Sequence, residues 1–288
     1  MSPARRRAAV EHLQRVLGVL GVSQRWACQL VGQHRTTQRH QPVEADRDRA
    51  LRAELRHLSR THPRWGYRRA HAQLREQGWR ANRKAIQRLW REEGLRVPAR
   101  RRKRQRLGTS TTPADRLAAT HPDHVWALDY QFDQTTDGRR LKLLNVVDEH
   151  TRQALAIVVE RSIDADATVA VLDRVVAERG TAPRCIRCDN GPELTANALR
   201  DWCRFNHAES SYIEPGSPWQ NPYVESFGGR LRDELLAVEA FNSLLEAQVL
   251  VEDWRIEYNT LRPHSALGYL TPTDYAKTWT ATHQPELS

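Results

Sequence analysis

The stretch His124-Val-Trp-Ala-Leu-Asp-Tyr-Gln-Phe132 decides the fold of this chain. Its large apolar residues, from Trp126 to Phe132, occupy every second position, which is the period of a β-strand. Asp129 lies on the opposite face of the predicted strand, together with Val125 and Ala127. A carboxylate on an otherwise apolar strand needs a partner, because an unpaired buried charge is costly.

Strands and helices alternate on the C-terminal side of this stretch. An Asp-Gly pair at 137–138 predicts a hairpin turn, so the strands 124–132, 141–147 and 153–159 form a meander. The later pattern predicts a helix over 164–180, a strand over 184–188, a helix over 194–207, a strand over 211–213, and helices from 222 and over 244–258. This order predicts an α/β fold with a mixed five-stranded sheet flanked by helices.

The first hundred residues, on the N-terminal side of this stretch, have a pattern that predicts helices only. Apolar residues recur at helical spacing from Ala8 to Val19, and Ser23 is placed to cap a short helix that ends at Gly32. Further helices are predicted over 46–59, 67–77 and 82–93. Two helices joined by a tight turn are typical of DNA-reading domains, so this part is predicted to be an all-α, helix-turn-helix-like DNA-binding region.

Charge is divided between the two halves of the chain. Residues 1–108 hold 28 Lys and Arg against 8 Asp and Glu, whereas residues 109–288 hold 17 against 27. Solubility does not require such segregation, and a basic half of this size indicates contact with a phosphate backbone. On the helix over 82–93 we expect Arg83, Lys84 and Arg88 to contact DNA; an arginine-rich solvated face is the alternative.

A basic linker follows the helices. Seven of the eleven residues over 96–106 are basic, and we expect Arg101, Arg102, Lys103 and Arg104 to order along DNA. The predicted domains are a helix-turn-helix-like segment over 1–42, a helical DNA-binding domain over 43–98, the linker over 99–119, and a catalytic core with C-terminal helices over 120–288.

Composition indicates the cellular compartment in which the protein acts. The longest apolar run, over 16–22, has seven residues, whereas a membrane span needs about 20. Four cysteines in 288 residues do not form a disulfide framework, which fits a reducing compartment. We therefore expect a cytoplasmic protein without a membrane contact.

Three acids on separate elements form a candidate metal site. Asp129 lies on the first strand, Asp189 ends the fourth strand, and Glu225 lies on the helix from 222. If the first and fourth strands pair, the two aspartates become neighbours and the helix can bring Glu225 above them. Three carboxylates in a small volume need a divalent cation to offset their repulsion, and oxygen ligands favour Mg²⁺ or Mn²⁺.

These residues resemble a known family. Asp129, Asp189 and Glu225, with 35 residues between the last two, have the order and spacing of the DDE transposases and retroviral integrases. The runs Cys188-Asp-Asn-Gly-Pro-Glu193, Pro218-Trp-Gln-Asn-Pro-Tyr-Val-Glu-Ser-Phe227 and Tyr258-Asn-Thr-Leu-Arg-Pro-His-Ser-Ala-Leu-Gly268 are similar to signatures of the second reading frame (OrfB) of the IS-three insertion sequences. Trp65-Gly-Tyr-Arg-Arg69, Gly78-Trp79 and Gly94-Leu95 resemble its preceding helical domain.

The resemblance implies a ribonuclease-H-like core and a metal-dependent DNA strand-cleavage and strand-transfer activity. Asp129, Asp189 and Glu225 would hold two Mg²⁺ ions, with Mn²⁺ as a substitute. Arg232 occupies the basic position after the glutamate and would hold a phosphate, although a plain surface arginine is the alternative. Arg262 and His264 belong to a family motif for which a phosphate contact and a loop-locking hydrogen bond both remain open.

The resemblance also implies the partners. They are double-stranded DNA (transposon terminal repeats and target DNA), a homo-oligomer on that DNA at the nucleoid, and an upstream-frame helix-turn-helix protein joined as a frameshift fusion. A catalytically silent DNA-binding regulator and a ribonuclease-H-type nuclease are the alternative functions. The complete triad argues against the regulator, and the DNA-reading helices argue against the nuclease.

Other residues compete for the metal. Asp148 ends the second strand and Glu193 lies four residues after Asp189, so each could touch the metal site. A turn or helix-start role explains each of them as easily. Cys185, Cys188, Cys203 and His207 have a zinc-like spacing. The two cysteines of the strand would point to opposite faces, so small buried thiols are the favoured interpretation.

Overall fold

The computed structural model describes residues 2–39, 46–95, 97, 118–189, 197–212 and 222–283. They form two compact units, residues 1–53 and 54–288. The predicted linker contacts from Arg101 to Arg104 lie outside the described residues.

The first unit contains α1 (Pro3–Leu17), α2 (Gln24–Val31) and α3 (Arg35–Arg39). α1 begins five residues earlier than predicted, because a proline fits the first helical turn and Ser2 caps it. The cap of α2 is confirmed: the Ser23 hydroxyl accepts a hydrogen bond of 3.2 Å from the backbone N–H of Trp26. Gly32, at φ 69°, ends α2 in the left-handed conformation that favours glycine.

The second unit begins within α4 (Asp46–Thr61), which is followed by α5 (Tyr67–Glu76) and α6 (Arg83–Glu92). α5 packs on α6, and each helix buries its apolar stripe. The Asn82 side chain accepts a hydrogen bond of 2.9 Å from the N–H of Lys84, so the predicted cap of α6 is confirmed. The predicted helical organisation of residues 46–93 is therefore present.

A five-stranded mixed sheet forms the centre of the second unit. Its strands are β1 (Val125–Gln134), β2 (Arg140–Asp148), β3 (Ala154–Glu160), β4 (Cys185–Cys188) and β5 (Glu209–Tyr212), in the order β3-β2-β1-β4-β5. β1, β2 and β3 pair antiparallel, whereas β4 runs parallel to β1 and β5 runs parallel to β4. The predicted mixed five-stranded sheet is confirmed.

β5 starts two residues before its prediction. Its first residues, Glu209-Ser-Ser, carry no apolar pattern, but they pair with β4 in the register Cys185 to Glu209. Backbone pairing with a neighbour, rather than side-chain pattern, thus sets where this edge strand begins.

Helices cover both faces of the sheet. α7 (Ala165–Arg179) and α8 (Asn197–Phe205) share one core with the face of β1 that carries Trp126 and Leu128. α9 (Pro222–Leu231), a π-helical turn over Arg232–Leu236, and α10 (Leu244–Thr260) share the other core with the face that carries Ala127. α11 (Pro272–His283) follows. The described helices contain no segment long and apolar enough to cross a membrane.

All four cysteines are buried, and none of them forms a disulfide bond. Burial raises the pKa of Cys188 to about 12 and that of Cys203 to about 11, so both are neutral thiols rather than thiolates. His207, the fourth member of the zinc-like pattern, is exposed to solvent. These facts agree with the interpretation as small buried thiols.

Candidate active site

Strand pairing places two of the three predicted acids side by side. The parallel register aligns Ala127 of β1 with Arg187 of β4. Asp129 lies two residues further along β1, and Asp189 lies one residue beyond the end of β4. If the period of two continues past Cys188, both aspartates project from the same face of the sheet. The pairing on which the predicted metal site depended is present.

α9 brings the third acid over this face. Val224 and Phe227 of α9 are buried against the core that includes Ala127. Glu225 lies between them in sequence and is exposed, in the first turn of the helix. The apolar residues hold the helix on the sheet, and this leaves the Glu225 carboxylate free to project from its start.

A hydrogen-bond chain fixes α9 to the sheet beside Asp129. The Gln131 amide donates to the Gly228 carbonyl oxygen at 2.9 Å and accepts from the Asn145 amide at 3.0 Å. Asn145 faces Asp129 across the β1–β2 pair. A Cβ at Gly228 would come within 2.9 Å of Gln131 Nε2, so glycine permits this close approach.

Sequence reasoning missed this chain of contacts. Gln131 shares the face of Asp129, but nothing in its type or spacing distinguishes it. The Gly228-Gly229 pair inside a helical pattern was the available signal, since glycine within a helix often marks a close backbone approach.

The three carboxylates influence one another. The pKa of Asp129 is raised to about 7, first by burial and then by the negative charges of Asp189 and Glu225, against a lowering by a hydrogen bond from the backbone N–H of Tyr130. Partial burial also raises the pKa of Glu225. A carboxyl group whose pKa is raised by burial and by neighbouring acids is often found at a functional site.

The donor set fits a hard divalent cation. Carboxylate oxygens dominate it, and the side-chain oxygen Oδ1 of Asn145, next to Asp129, is buried without a hydrogen-bond partner. Within the described residues, no three His, Cys, Asp or Glu side chains are close enough together to hold a metal ion. The carboxylates thus interact electrostatically but are not gathered at ligand distance, and the segments 190–196 and 213–221 beside two of them lie outside the description.

Asp148, one competing acid, has a structural role. Its carboxylate accepts hydrogen bonds from the backbone N–H groups of Asp123 at 2.7 Å, His150 at 2.7 Å and Thr151 at 3.0 Å. It therefore shapes the turn after β2, which is the turn interpretation of the sequence. The other competitor, Glu193, lies outside the described residues.

Arg232 lies near the far end of β1. One terminal N–H group of its guanidinium donates to the Phe132 carbonyl oxygen at 2.8 Å, and the side chain is exposed. A guanidinium has five N–H donors, so this bond leaves others for a further partner. α9 ends one residue earlier, and Arg232 begins the π-helical turn instead of continuing the α-helix.

Arg262 and His264 are buried, which differs from an exposed DNA contact. Arg262 is 2 % exposed and pairs with Glu234 through two guanidinium nitrogens. His264 is 5 % exposed and packs edge-on against Tyr258, with 4.7 Å between ring centroids. Burial, with the charge of Arg262, lowers the pKa of His264 to about 2. Of the two alternatives left open by the sequence, this burial favours a loop-locking role for Arg262 and His264 over a phosphate contact.

The three basic residues predicted on α6 are accessible to solvent. Arg83 and Lys84 lie in the first turn of the helix, and Arg88 lies 4.0 Å from Glu92 one turn further on. The opposite stripe, with Ile86 and Leu89, is buried. The helix thus presents a cationic face to solvent, as both of its sequence interpretations require.

The raised pKa of Asp129 gives a testable pH dependence. Its pKa in the folded protein, about 7, exceeds its ordinary value of 3.8, so its stabilising contribution is complete below pH 3.8 and is lost as the pH rises through 7. Asp129→Asn should therefore raise the Tm of chelator-treated protein by a few degrees at pH 8 and by less at pH 5. Calorimetry at the two pH values checks this, and an equal or inverted difference would contradict the charge repulsion.

Comparison with known proteins agrees with this architecture. Residues 119–218 and 198–272 match two family models described as integrase core domains, and residues 45–104 match one described as an HTH-like domain. Among solved structures, a simian T-cell lymphotropic virus intasome is 17% identical over 60% of this chain and 59% of that chain, with a TM-score of 0.48. The HTLV-2 integrase catalytic core domain in complex with magnesium is 18% identical over 55% of this chain and 98% of that chain, with a TM-score of 0.44.

Sequence relatives decide the family. A 39.2 kDa protein of insertion element IS476 from Xanthomonas euvesicatoria is 40% identical over 96% of this chain and 78% of its own length. A 31.7 kDa protein of IS407 from Burkholderia multivorans is 40% identical over 91% of this chain and 94% of its own. The transposase InsD of IS2 from Escherichia coli is 30% identical over 81% of this chain and 79% of its own. Together with the integrase core, these relatives show that the chain belongs to the insertion-sequence transposases of the IS-three family.

Proposed function

We propose that Asp129, Asp189 and Glu225 form the catalytic centre of this transposase and hold two Mg²⁺ ions, with Mn²⁺ as a substitute. The observation that carries the proposal is the parallel register of β1 and β4, which aligns Ala127 with Arg187 two residues before each aspartate. The raised pKa of Asp129, with burial as its largest cause and Asp189 and Glu225 among the others, supports it. Bound divalent ions would stabilise the attacking and leaving oxygens of an in-line phosphoryl transfer.

The reaction is an exchange of phosphodiester bonds. Water first cleaves the transposon end and releases a 3′-hydroxyl group. That hydroxyl oxygen then attacks a target phosphorus, and a new P–O bond forms as the old P–O3′ bond breaks. The protein contributes position: the β1–β4 pair orients the two aspartates, and the contact between Gln131 and Gly228 holds the helix of Glu225.

The partners follow from the same chemistry. We propose that α6 contacts duplex DNA through Arg83, Lys84 and Arg88, that the linker residues 101–104 follow the backbone, and that Arg232 holds a phosphate near β1. A homo-oligomer on DNA at the nucleoid and a frameshift fusion with an upstream helix-turn-helix protein belong to this proposal. So do the cytoplasmic location and the domain boundaries at 42, 98 and 119.

Loss of any one acid should abolish the reaction. Asp129→Asn, Asp189→Asn and Glu225→Gln each remove a metal-binding charge without changing side-chain shape, so end cleavage and joining should fall at least about a hundredfold while duplex binding persists. A strand-transfer assay with matched transposon ends measures both steps. Asp201→Asn removes an exposed acid on α8 and should leave joining unchanged. A triad variant with wild-type joining would remove that residue from the centre.

The contact between α9 and β1 should matter for activity more than for stability. Gly228→Ala places a methyl group against Gln131 and breaks the hydrogen bond that fixes the helix of Glu225, so joining should fall about tenfold or more. The far end of a Gln side chain can move, so the Tm should change little.

Gly229→Ala is the matched control, since its Cβ meets nothing within 4 Å among the described residues. It should keep joining and gain about 0.5–1 kcal/mol of stability from better helix propensity. Equal joining by the two alanine variants would show that the Gln131 contact does not position Glu225.

The cationic face of α6 should set the salt dependence of DNA binding. Removal of one phosphate-binding side chain should reduce the slope of log K against log salt by about 0.9. Arg83→Gln and Lys84→Gln should each do so in fluorescence-anisotropy titrations of a duplex, whereas Arg204→Gln, at an exposed side chain of α8, should not. An unchanged slope for both α6 variants would leave only the solvated-face interpretation.

A further inference from the structure

The turn between β2 and β3, residues 149–153, is joined to β4 by a buried ion pair. A carboxylate oxygen of Glu149 lies 2.5 Å from a guanidinium nitrogen of Arg187. The Glu149 side chain is fully buried, and that of Arg187 is 3 % exposed. Arg187 lies two residues before Asp189, so the ion pair acts on the end of the strand that Asp189 follows.

This ion pair supports a strand that has little backbone pairing of its own. Residues 185–187 of β4 are in register with residues 125–127 of β1. β1 lies between β2 and β4 in the sheet, so the ion pair reaches across β1 and connects the end of β2 to β4. In a buried pair of this kind neither side chain has water as an alternative partner, so the contact restricts where β4 can lie.

The same turn reaches α9 through Arg152. Its guanidinium lies 3.5 Å from the centroid of the Tyr223 ring, a distance at which the face of an aromatic ring attracts a cation. Tyr223 lies in the first turn of α9, two residues before Glu225. The contact therefore acts on the end of the helix that carries Glu225.

Arg152 has a strained backbone conformation. Its φ of 66° lies in the left-handed region, which residues other than glycine and asparagine rarely adopt. The turn imposes this conformation: the Asp148 carbonyl oxygen accepts a hydrogen bond of 2.9 Å from the Arg152 N–H, and the Asp148 carboxylate accepts one of 3.0 Å from the Thr151 N–H. Such strain concentrates at functional sites, so an arginine at this position points to a role for its side chain.

We propose that the β2–β3 turn positions two of the three acids for the metal ions. Glu149 holds the end of β4, and thereby Asp189, through its ion pair. Arg152 holds the start of α9, and thereby Glu225, through the tyrosine ring. Both are positioning residues, because they act on the backbone that carries the acids and not on the metal or the DNA.

The two acids need such support more than Asp129 does. Asp129 lies within β1, which pairs with β2 along its whole length. Asp189 lies one residue beyond β4, and Glu225 lies in the first turn of its helix, so each is at the end of an element. The inference rests on the proposed function, because that function makes the three acids metal ligands.

An apolar replacement of the ion pair separates positioning from stability. Glu149→Leu combined with Arg187→Met removes both charges and keeps similar side-chain volumes, and such replacements of buried ion pairs are often neutral or stabilising. The Tm of the chelator-treated full chain should be no more than about 3 °C below that of the wild type. Strand joining should fall about tenfold or more, as is typical when support of a metal ligand is lost.

A conservative variant tests the same link if the double variant does not fold. Glu149→Asp keeps the charge and shortens the side chain by one methylene group, so the carboxylate no longer reaches Arg187 in the same geometry. Joining should fall severalfold with a small change in Tm. Wild-type joining by Glu149→Asp and by the folded double variant would overturn the role of Glu149.

Arg152→Asn tests the link to α9. Asparagine tolerates the left-handed conformation, so the turn is kept while the guanidinium is lost. The Tm should stay within about 3 °C of the wild type, and joining should fall about tenfold. Arg152→Lys keeps a cation near the ring and should recover part of the joining. Wild-type joining by Arg152→Asn would overturn the role of Arg152.

His150→Ala is the matched control within the same turn. The His150 ring contacts Tyr275 and Trp279 of α11, with 5.8 Å between ring centroids in each pair, and neither lies on an element that carries an acid. Its loss should lower the Tm and leave joining unchanged. If the turn only stabilised the fold, joining would follow the Tm in all of these variants, and that outcome would overturn the inference.

Metal binding gives a readout that does not depend on joining. A Mg²⁺ titration of the full chain at constant ionic strength should raise the wild-type Tm in a saturable manner, since a ligand that binds only the folded state stabilises it. The double variant and Arg152→Asn should need about tenfold more Mg²⁺ for half of the rise, and His150→Ala should need the same amount as the wild type. Unchanged Mg²⁺ midpoints in both positioning variants would overturn the inference.

Triad variants distinguish a failure of this inference from a failure of the proposed function. If Asp189→Asn and Glu225→Gln abolish the Mg²⁺ response and joining while the positioning variants behave like the wild type, this inference alone is overturned. If the triad variants retain both the Mg²⁺ response and joining, the proposed function is contradicted, and the positioning role is contradicted with it.

Discussion

The hydrogen bonds of the parallel β1–β4 pair are the constraint on which the arrangement of the three acids in the second unit depends. They align Ala127 with Arg187, and the period of two then sets Asp129 beside Asp189. A shift of one residue in this register would turn Asp189 to the opposite face, because every side chain changes face with such a slip. In the sheet, β4 pairs with β1 and not with β3. This order decides whether the two aspartates lie close together.

Carboxylates that lie near one another repel, and this repulsion lowers the free energy of unfolding unless other contacts offset it. Asp129 is pushed towards its protonated form by burial and by Asp189 and Glu225. The packing of Phe227 and the hydrogen bond from Gln131 to the Gly228 carbonyl hold α9 against that repulsion. Function in such a centre is maintained at the expense of stability, and the stabilising contacts lie one layer away from the acids.

Local pattern determined much of this protein from the sequence by itself. The alternation over 124–132 predicted β1, the caps at Ser23 and Asn82 marked two helix starts, and an acid on an apolar strand singled out Asp129. These signals work because burial and capping act within one element. Within a helix or a strand, the separation of two residues along the chain fixes whether their side chains share a face.

Only the tertiary structure decided which elements meet. The sequence left open whether β1 pairs with β4, and the strand order of the sheet shows that it does. The hydrogen bond from Gln131 to Gly228 joins residues 97 positions apart. Packing near Glu234 buries Arg262 and His264, two residues that the sequence offered as DNA contacts. Periodicity shows that a side chain faces protein or solvent, but not which distant side chain it will meet, because that depends on how whole elements pack.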